Sequence, residues 1–147
     1  MIKTLKILFD RDLKRLKNEI EQYNNEADIW KIERQINNSA GNLCLHLIGN
    51  LNTYIGKELG HTGYVRDREL EFSLKNVPIQ ELLGKIDNTI TMIDQVLDNL
   101  DEAHLEKEYP ILVLEQKTST EYFLIHLATH LNYHLGQINY HRRLIEK

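Results

Sequence analysis

At 147 residues, 41% apolar and 27% charged, the chain is long enough to bury one core and too apolar to be disordered. A net charge of −4 argues against a phosphate backbone as the main partner, so nucleic acid is not expected. The one cysteine, Cys44, excludes an intramolecular disulfide and fits a reducing compartment.

The opening stretch MIKTLKILFDRDLKR breaks its short apolar run with charge, unlike a secretory signal. No run reaches the roughly 18 apolar residues of a membrane span. The expected location is cytoplasmic, with no membrane partner.

Glycine and proline are sparse, and apolar residues recur at three and four rather than at two, which favours helices. The first segment places Ile2, Leu5, Phe9, Leu13, Leu16, Ile20 and Tyr23 on one stripe and predicts an amphipathic helix ending near Asn24-Asn25. A second helix is expected after Asn37-Asn38-Ser39, residue types that cap helix starts. It carries Leu43, Leu47, Leu51, Tyr54 and Ile55, and stops near Gly56 or Gly60. Pro78 suits the first turn of a third helix. Its stripe runs Ile79, Leu82, Leu83, Ile86, Ile90, Ile93, Val96, Leu97 and Leu100. Thr118 to Glu121 has the spacing of a capping box and opens a fourth helix. Leu124, Leu127, Leu131, Leu135, Ile138 and Leu144 are expected to face inward there.

Four helices of comparable length predict an all-α, single-domain four-helix bundle over residues 1–147. Two connections are long, Lys57 to Val77 and Asp101 to Lys117, and loops beyond ~12–15 residues are uncommon without a function or disorder. Tyr109 to Glu115 is expected as a short extended piece lying over the bundle.

The seven histidines are unevenly placed. His126, His130 and His134 step by four along the fourth helix, which puts them nearly on one face. They sit beside the apolar stripe of Leu127, Leu131 and Leu135, where a cleft between helices would lie. On the second helix, His46 stands one residue from Leu47 and three from Leu43. A set of His46, His130 and His134 would give three neutral nitrogen ligands from two helices and leave an open position, as in catalytic metal sites. Imidazole sets suit zinc, nickel, iron(II) or copper. The competing reading makes them core or boundary histidines. His61, His104 and His141 are expected at the surface or in loops. The zincin pattern His-Glu-x-x-His is absent, because Leu127 follows His126 and Leu131 follows His130; peptide hydrolysis by that route is not expected.

Asn42-Leu-Cys-Leu-His46-Leu-Ile-Gly-Asn50, followed by His130-Leu-Asn-Tyr-His134-Leu-Gly-Gln-Ile138, resembles the DinB-like superfamily. That superfamily includes YfiT-like metal-dependent hydrolases and thiol-dependent transferases. The resemblance covers nearly the whole chain. It implies a four-helix bundle, a homodimer, and one divalent ion (zinc, nickel, iron or manganese) on His46, His130 and His134. His126 then matches an upstream histidine that is not a usual ligand. The resemblance also implies a low-molecular-weight thiol of the bacillithiol or mycothiol kind as co-substrate.

Tyr64 to Phe72 mixes Arg66 and Arg68 with Asp67, Glu69 and Glu71. It reads as a solvated charged loop or, more sharply, as a lid whose arginines orient an anionic substrate. Cys44, two residues from His46, points to another side of the helix and reads as a small core residue. Gln137, Tyr133 and Asn50 are candidates to hydrogen-bond the ligand histidines.

Two functions are expected, the thiol in the first being what the resemblance implies. The first is a metal-dependent transferase joining a small thiol to a small electrophile, in which the metal lowers the thiol pKa. The second is a non-catalytic, stress-related dimer that binds a metal or another ligand. No general base is evident beside the histidines, which keeps the second open.

Overall fold

A computed structural model describes residues 1–146. Among the described residues the chain is helical without strands; an isolated antiparallel bridge joins Glu108 to Ser119. Six α-helices follow in order: α1 (Ile2–Glu21), α2 (Ala40–Leu51), α3 (Arg68–Ser73), α4 (Ile79–Asp98), α5 (Glu102–Glu106) and α6 (Thr120–Ile145). The long helices are those that the apolar stripes predict. The short α3 and α5 lie inside the two long connections.

Helix α1 buries Leu5, Phe9, Leu13, Leu16 and Ile20 against α4 and α6. Asp12 is buried on the same face, where it accepts from Arg11 Nε at 2.8 Å and Asn132 Nδ2 at 3.1 Å. The helix stops at Glu21, short of the expected Asn24-Asn25. Asn25 instead caps a 3-10 turn over Glu26–Trp30 by accepting the Ala27 N–H at 3.0 Å.

Ser39 caps α2 as its residue type predicts, accepting the Asn42 N–H at 3.2 Å. Every residue from Ala40 to Leu51 is buried. A helix apolar on all sides must be covered on all sides. Helices α3, α4 and α6 and the Trp30 turn all pack on α2. Gly41 makes the last contact feasible, since a Cβ there would fall 2.6 Å from the Trp30 ring. The chain continues helically as a π-turn over Asn52–Lys57, close to the predicted stop at Gly56. Asn52 Nδ2 and Thr53 Oγ1 donate to the carbonyls four residues back, at 2.8 and 2.7 Å, in the loosened backbone.

Helix α4 starts after Pro78 and buries Leu82, Leu83, Ile86, Ile93, Val96 and Leu97. Helix α6 differs from expectation at both ends. The Thr118–Glu121 capping box does not form. The Thr118 carbonyl accepts the Tyr109 N–H at 2.8 Å, which leaves Ser119 to cap the Tyr122 N–H at 3.1 Å. At the other end Leu144 is 68% exposed and Ile145 is buried. Ile145 lies seven residues after Ile138, on the same helical face, whereas Leu144 falls off it. The Tyr109–Glu115 stretch bends rather than running extended. Its anchor is Tyr109, whose hydroxyl donates to the Tyr54 carbonyl at 2.6 Å and whose ring centroid is 4.1 Å from that of Phe123.

One apolar cluster joins side chains of α1, α2, α4 and α6. No helix among the described residues is long and apolar enough to cross a membrane.

Candidate metal centre

Helix α2 presents His46 from its buried surface, and α6 presents His130 and His134, one turn apart and half-buried. A ligand atom of each lies within 4.8 Å of those of the other two, close enough to hold one metal ion. His46 Nε2 and His130 Nε2 are 3.4 Å apart. Nitrogens bound at ~2.0–2.1 Å to a tetrahedral ion stand about 3.3 Å apart, so this pair already has the spacing of a shared ion.

The outer nitrogens fix which atoms are free. His46 Nδ1 lies 3.1 Å from Glu71 Oε1. Arg66 Nη2 lies farther from the same nitrogen, at 3.4 Å; the nearer carboxylate would repel an unprotonated nitrogen, so the proton is placed on Nδ1 and Nε2 keeps its lone pair. His134 Nδ1 donates likewise to Gln137 Oε1 at 2.7 Å. Metal-bound histidines are commonly oriented by such acceptors.

His141 shows what a structural histidine looks like in this fold. It is buried; its Nδ1 lies 2.6 Å from the Tyr23 hydroxyl and its Nε2 donates to the Lys31 carbonyl at 2.8 Å. Both ring nitrogens are satisfied by oxygen. His130 differs: its Nδ1 is buried without a partner among the described residues, and its Nε2 meets only the imidazole of His46. Burial, followed by the charges that His134, His46 and His126 would carry, pushes His130 down to about 4. Burial also lowers His134, against the raising effect of Gln137. Neutral imidazole is the form that binds metal.

Glu71 is buried beside His46, and Arg66 closes on it as a fork, with Nε on Oε2 at 2.8 Å and Nη2 on Oε1 at 2.9 Å. Burial pushes the carboxyl up, but the bonds from His46 and Arg66 and the Arg66 charge outweigh it and hold Glu71 below the usual range. The 64–72 segment is exposed at Val65 and from Asp67 to Leu70, as a solvated charged loop would be, but Arg66 and Glu71 are drawn inward. Arg66 is spent on Glu71, and Arg68 lies over the Phe72 ring, 5.2 Å from its centroid. Asn42 of α2 ties this segment down by donating to the Glu71 and Leu74 carbonyls at 3.0 and 2.8 Å.

The remaining predicted residues divide. Cys44 is buried as a free thiol that burial pushes up to about 12. His126 stacks 6.4 Å from His130 and lies outside the three-histidine cluster. Tyr133 is 65% exposed, with its ring edge-on to His134 at 5.2 Å. Asn50 is buried, but its Oδ1 has no hydrogen-bond partner among the described residues. His61 and His104 are exposed as expected, and His104 forms the capping box of α5 with Asp101. His141 corrects the surface expectation, because it lies one turn below Gln137 on the side of α6 that faces Tyr23 and Lys31. Glu71 and Arg66 are the residues whose roles the sequence reading missed. The available signal was Gly49, three residues after His46: a Cβ there would fall 1.9 Å from Glu71 Oε2, so glycine marks a close approach to that helix face.

A model of the family described as "Protein of unknown function (DUF1572)" matches residues 2–147. The chain belongs to the DUF1572 family. No curated protein matches it. All three histidines of the cluster, together with Glu71 and Arg66, fall within the DUF1572 match.

Proposed function

We propose that this DUF1572 chain is a divalent-metal-binding protein with His46, His130 and His134 as its ligands, built as one DinB-like four-helix bundle from α1, α2, α4 and α6. The observation that carries this reading is the convergence of three imidazoles, two of which have their outer nitrogens donated to oxygen. A satisfied core cluster would have the pattern of His141 instead. Three nitrogen ligands suit zinc, nickel or iron(II) and leave room for an exchangeable group.

The activity that fits best is transfer of a low-molecular-weight thiol, of the bacillithiol or mycothiol kind, to a small electrophile in the cytoplasm. His46, His130 and His134 would hold the divalent ion, which would supply a Lewis acid able to lower the pKa of a thiol at neutral pH. The chain's own residues orient the imidazoles and exclude water on the α2 side. His134 and Gln137 also line a cleft of about 550 Å³, walled by Tyr133, Tyr140 and residues 33–38, which gives room for a small substrate. Metal-loaded protein is expected to consume a model electrophile only when such a thiol is present. Absence of turnover over a panel of thiols and electrophiles would refute the transferase reading.

A second reading, a non-catalytic metal-binding module, draws on one observation. Both oxygens of Glu71, the carboxylate beside the cluster, are occupied by His46 and Arg66, so it is not free to act as a base. In either case we propose a homodimer. The support is an apolar stripe along α6, where Tyr122, Ile125, Tyr133, Tyr140 and Leu144 are 40–68% exposed; because Tyr133, Tyr140 and Leu144 also line the cleft, the second copy would border its mouth.

A further inference from the structure

We propose that Glu71, held by the Arg66 fork, is the positioning residue of the His46 imidazole: it fixes the Nδ1–H tautomer and aims Nε2 at the point shared with His130 and His134. This role presupposes the metal-binding reading above.

Four observations carry it. Glu71 Oε1 lies 3.1 Å from His46 Nδ1, with the carboxylate buried. Arg66 occupies both oxygens from the other side, so the carboxylate cannot rotate away without breaking two charge-assisted bonds. The opposite wall is Gly49, where a Cβ would fall 1.9 Å from Oε2. The backbone behind Glu71 is pinned to α2 by Asn42. A carboxylate clamped by a fork, a wall and a backbone tether has one acceptor direction left, and His46 fills it.

The arrangement has a chemical consequence. An imidazole donating Nδ1–H to a carboxylate is a stronger donor through Nε2, and its ring plane is set before the ion arrives. Among the three histidines, His134 has a neutral amide oxygen in this place and His130 has no partner. His46 is therefore the anchoring ligand of the set. The anchoring depends on α3 being docked, because Glu71 belongs to α3 and Arg66 lies just before it.

The test compares wild type with Glu71→Leu and Gly49→Ala. The first keeps roughly the bulk of the side chain but removes both acceptor oxygens, since a glutamine there would keep one, as Gln137 shows beside His134. The second leaves every charge in place and displaces the carboxylate by sterics alone. Zinc affinity is measured by competition with a chromogenic chelator, and the His46 tautomer of the metal-free proteins by long-range 15N NMR. Both variants are expected to bind zinc about 10- to 100-fold more weakly. His46 should pass from a single Nδ1–H form in wild type to mixed tautomers in both variants, while far-UV circular dichroism remains helical. Wild-type zinc binding with unchanged affinity and tautomer in folded variants would overturn the positioning role and leave the three-histidine site standing. Failure of wild type to bind zinc, nickel or cobalt would overturn the metal reading, and this role with it.

Discussion

His46 Nε2 lies 3.4 Å from His130 Nε2, across the interface between α2 and α6. Two neutral imidazoles at this separation either share one proton or share one ion. The Glu71 bond commits His46 Nε2 to being an acceptor or a ligand. The spacing that would make a poor core contact makes a sound half of a metal site.

The Arg66–Glu71 pair is a buried ion pair, with side chains 15% and 7% exposed. Removing one partner leaves a buried charge uncompensated, which costs about 3–5 kcal/mol. Arg66→Met is therefore expected to lower unfolding stability by about that amount in urea titrations. Adding Glu71→Leu to the same chain should recover much of the loss, because the stranded charge is gone. A single variant as stable as wild type would show that the pair is solvated.

Burial lowers His141 from the ordinary histidine value of 6.5, although the Lys31 carbonyl bond raises it. The unfolded chain titrates near 6.5, so just below that pH it holds more protons than the folded chain, and stability rises with pH. The contribution is complete above 6.5 and is lost as pH falls through the lower folded value. His130, pushed down to about 4 with burial as the first cause, acts in the same direction in metal-free protein. Thermal melting of the metal-free protein should therefore drop on acidification below 6.5, and His141→Gln should flatten part of that drop. An identical slope in the variant would remove His141 from the account.

Gly41 meets the face of Trp30, with a Cβ placed 2.6 Å from the ring. Gly41→Ala gains helix propensity but must push the indole outward. Overpacking of this kind typically costs about 1–3 kcal/mol. Chemical denaturation with tryptophan fluorescence reads both the loss and the shifted ring, since Trp30 is the chain's only tryptophan. A variant more stable than wild type would mean that the turn moves freely.

The exposed stripe of α6 is expected to pair with a second copy. Sedimentation should show twice the 17.4 kDa chain mass, and Tyr140→Glu with Leu144→Glu should return the monomer. A monomeric wild type would remove the dimer.

Much of this architecture is written in periodicity. The α1 and α4 stripes name their buried residues almost one for one, because an amphipathic helix must bury its apolar face. The histidine cluster is legible for the same reason: His130 and His134 stand beside the Leu131 and Leu135 stripe, and His46 lies in a segment too apolar to be exposed on any side. What stayed hidden depends on contacts distant in sequence. Glu71 lies in a run of charges that looks solvated, and only the Arg66 fork and the gap at Gly49 explain its burial. Ser119 displaces Thr118 as cap because Tyr109, nine residues earlier, takes the Thr118 carbonyl. His141 looked peripheral because its partners, Tyr23 and Lys31, come from the other end of the chain.

The most direct test of the three-histidine site is the metal content of the purified protein, by elemental analysis, beside a His130→Ala, His134→Ala double variant. The geometry predicts about one divalent ion per chain in wild type and essentially none in a double variant that remains helical. No bound metal in wild type, even after incubation with zinc, nickel or manganese, would contradict it, as would a double variant that keeps its ion.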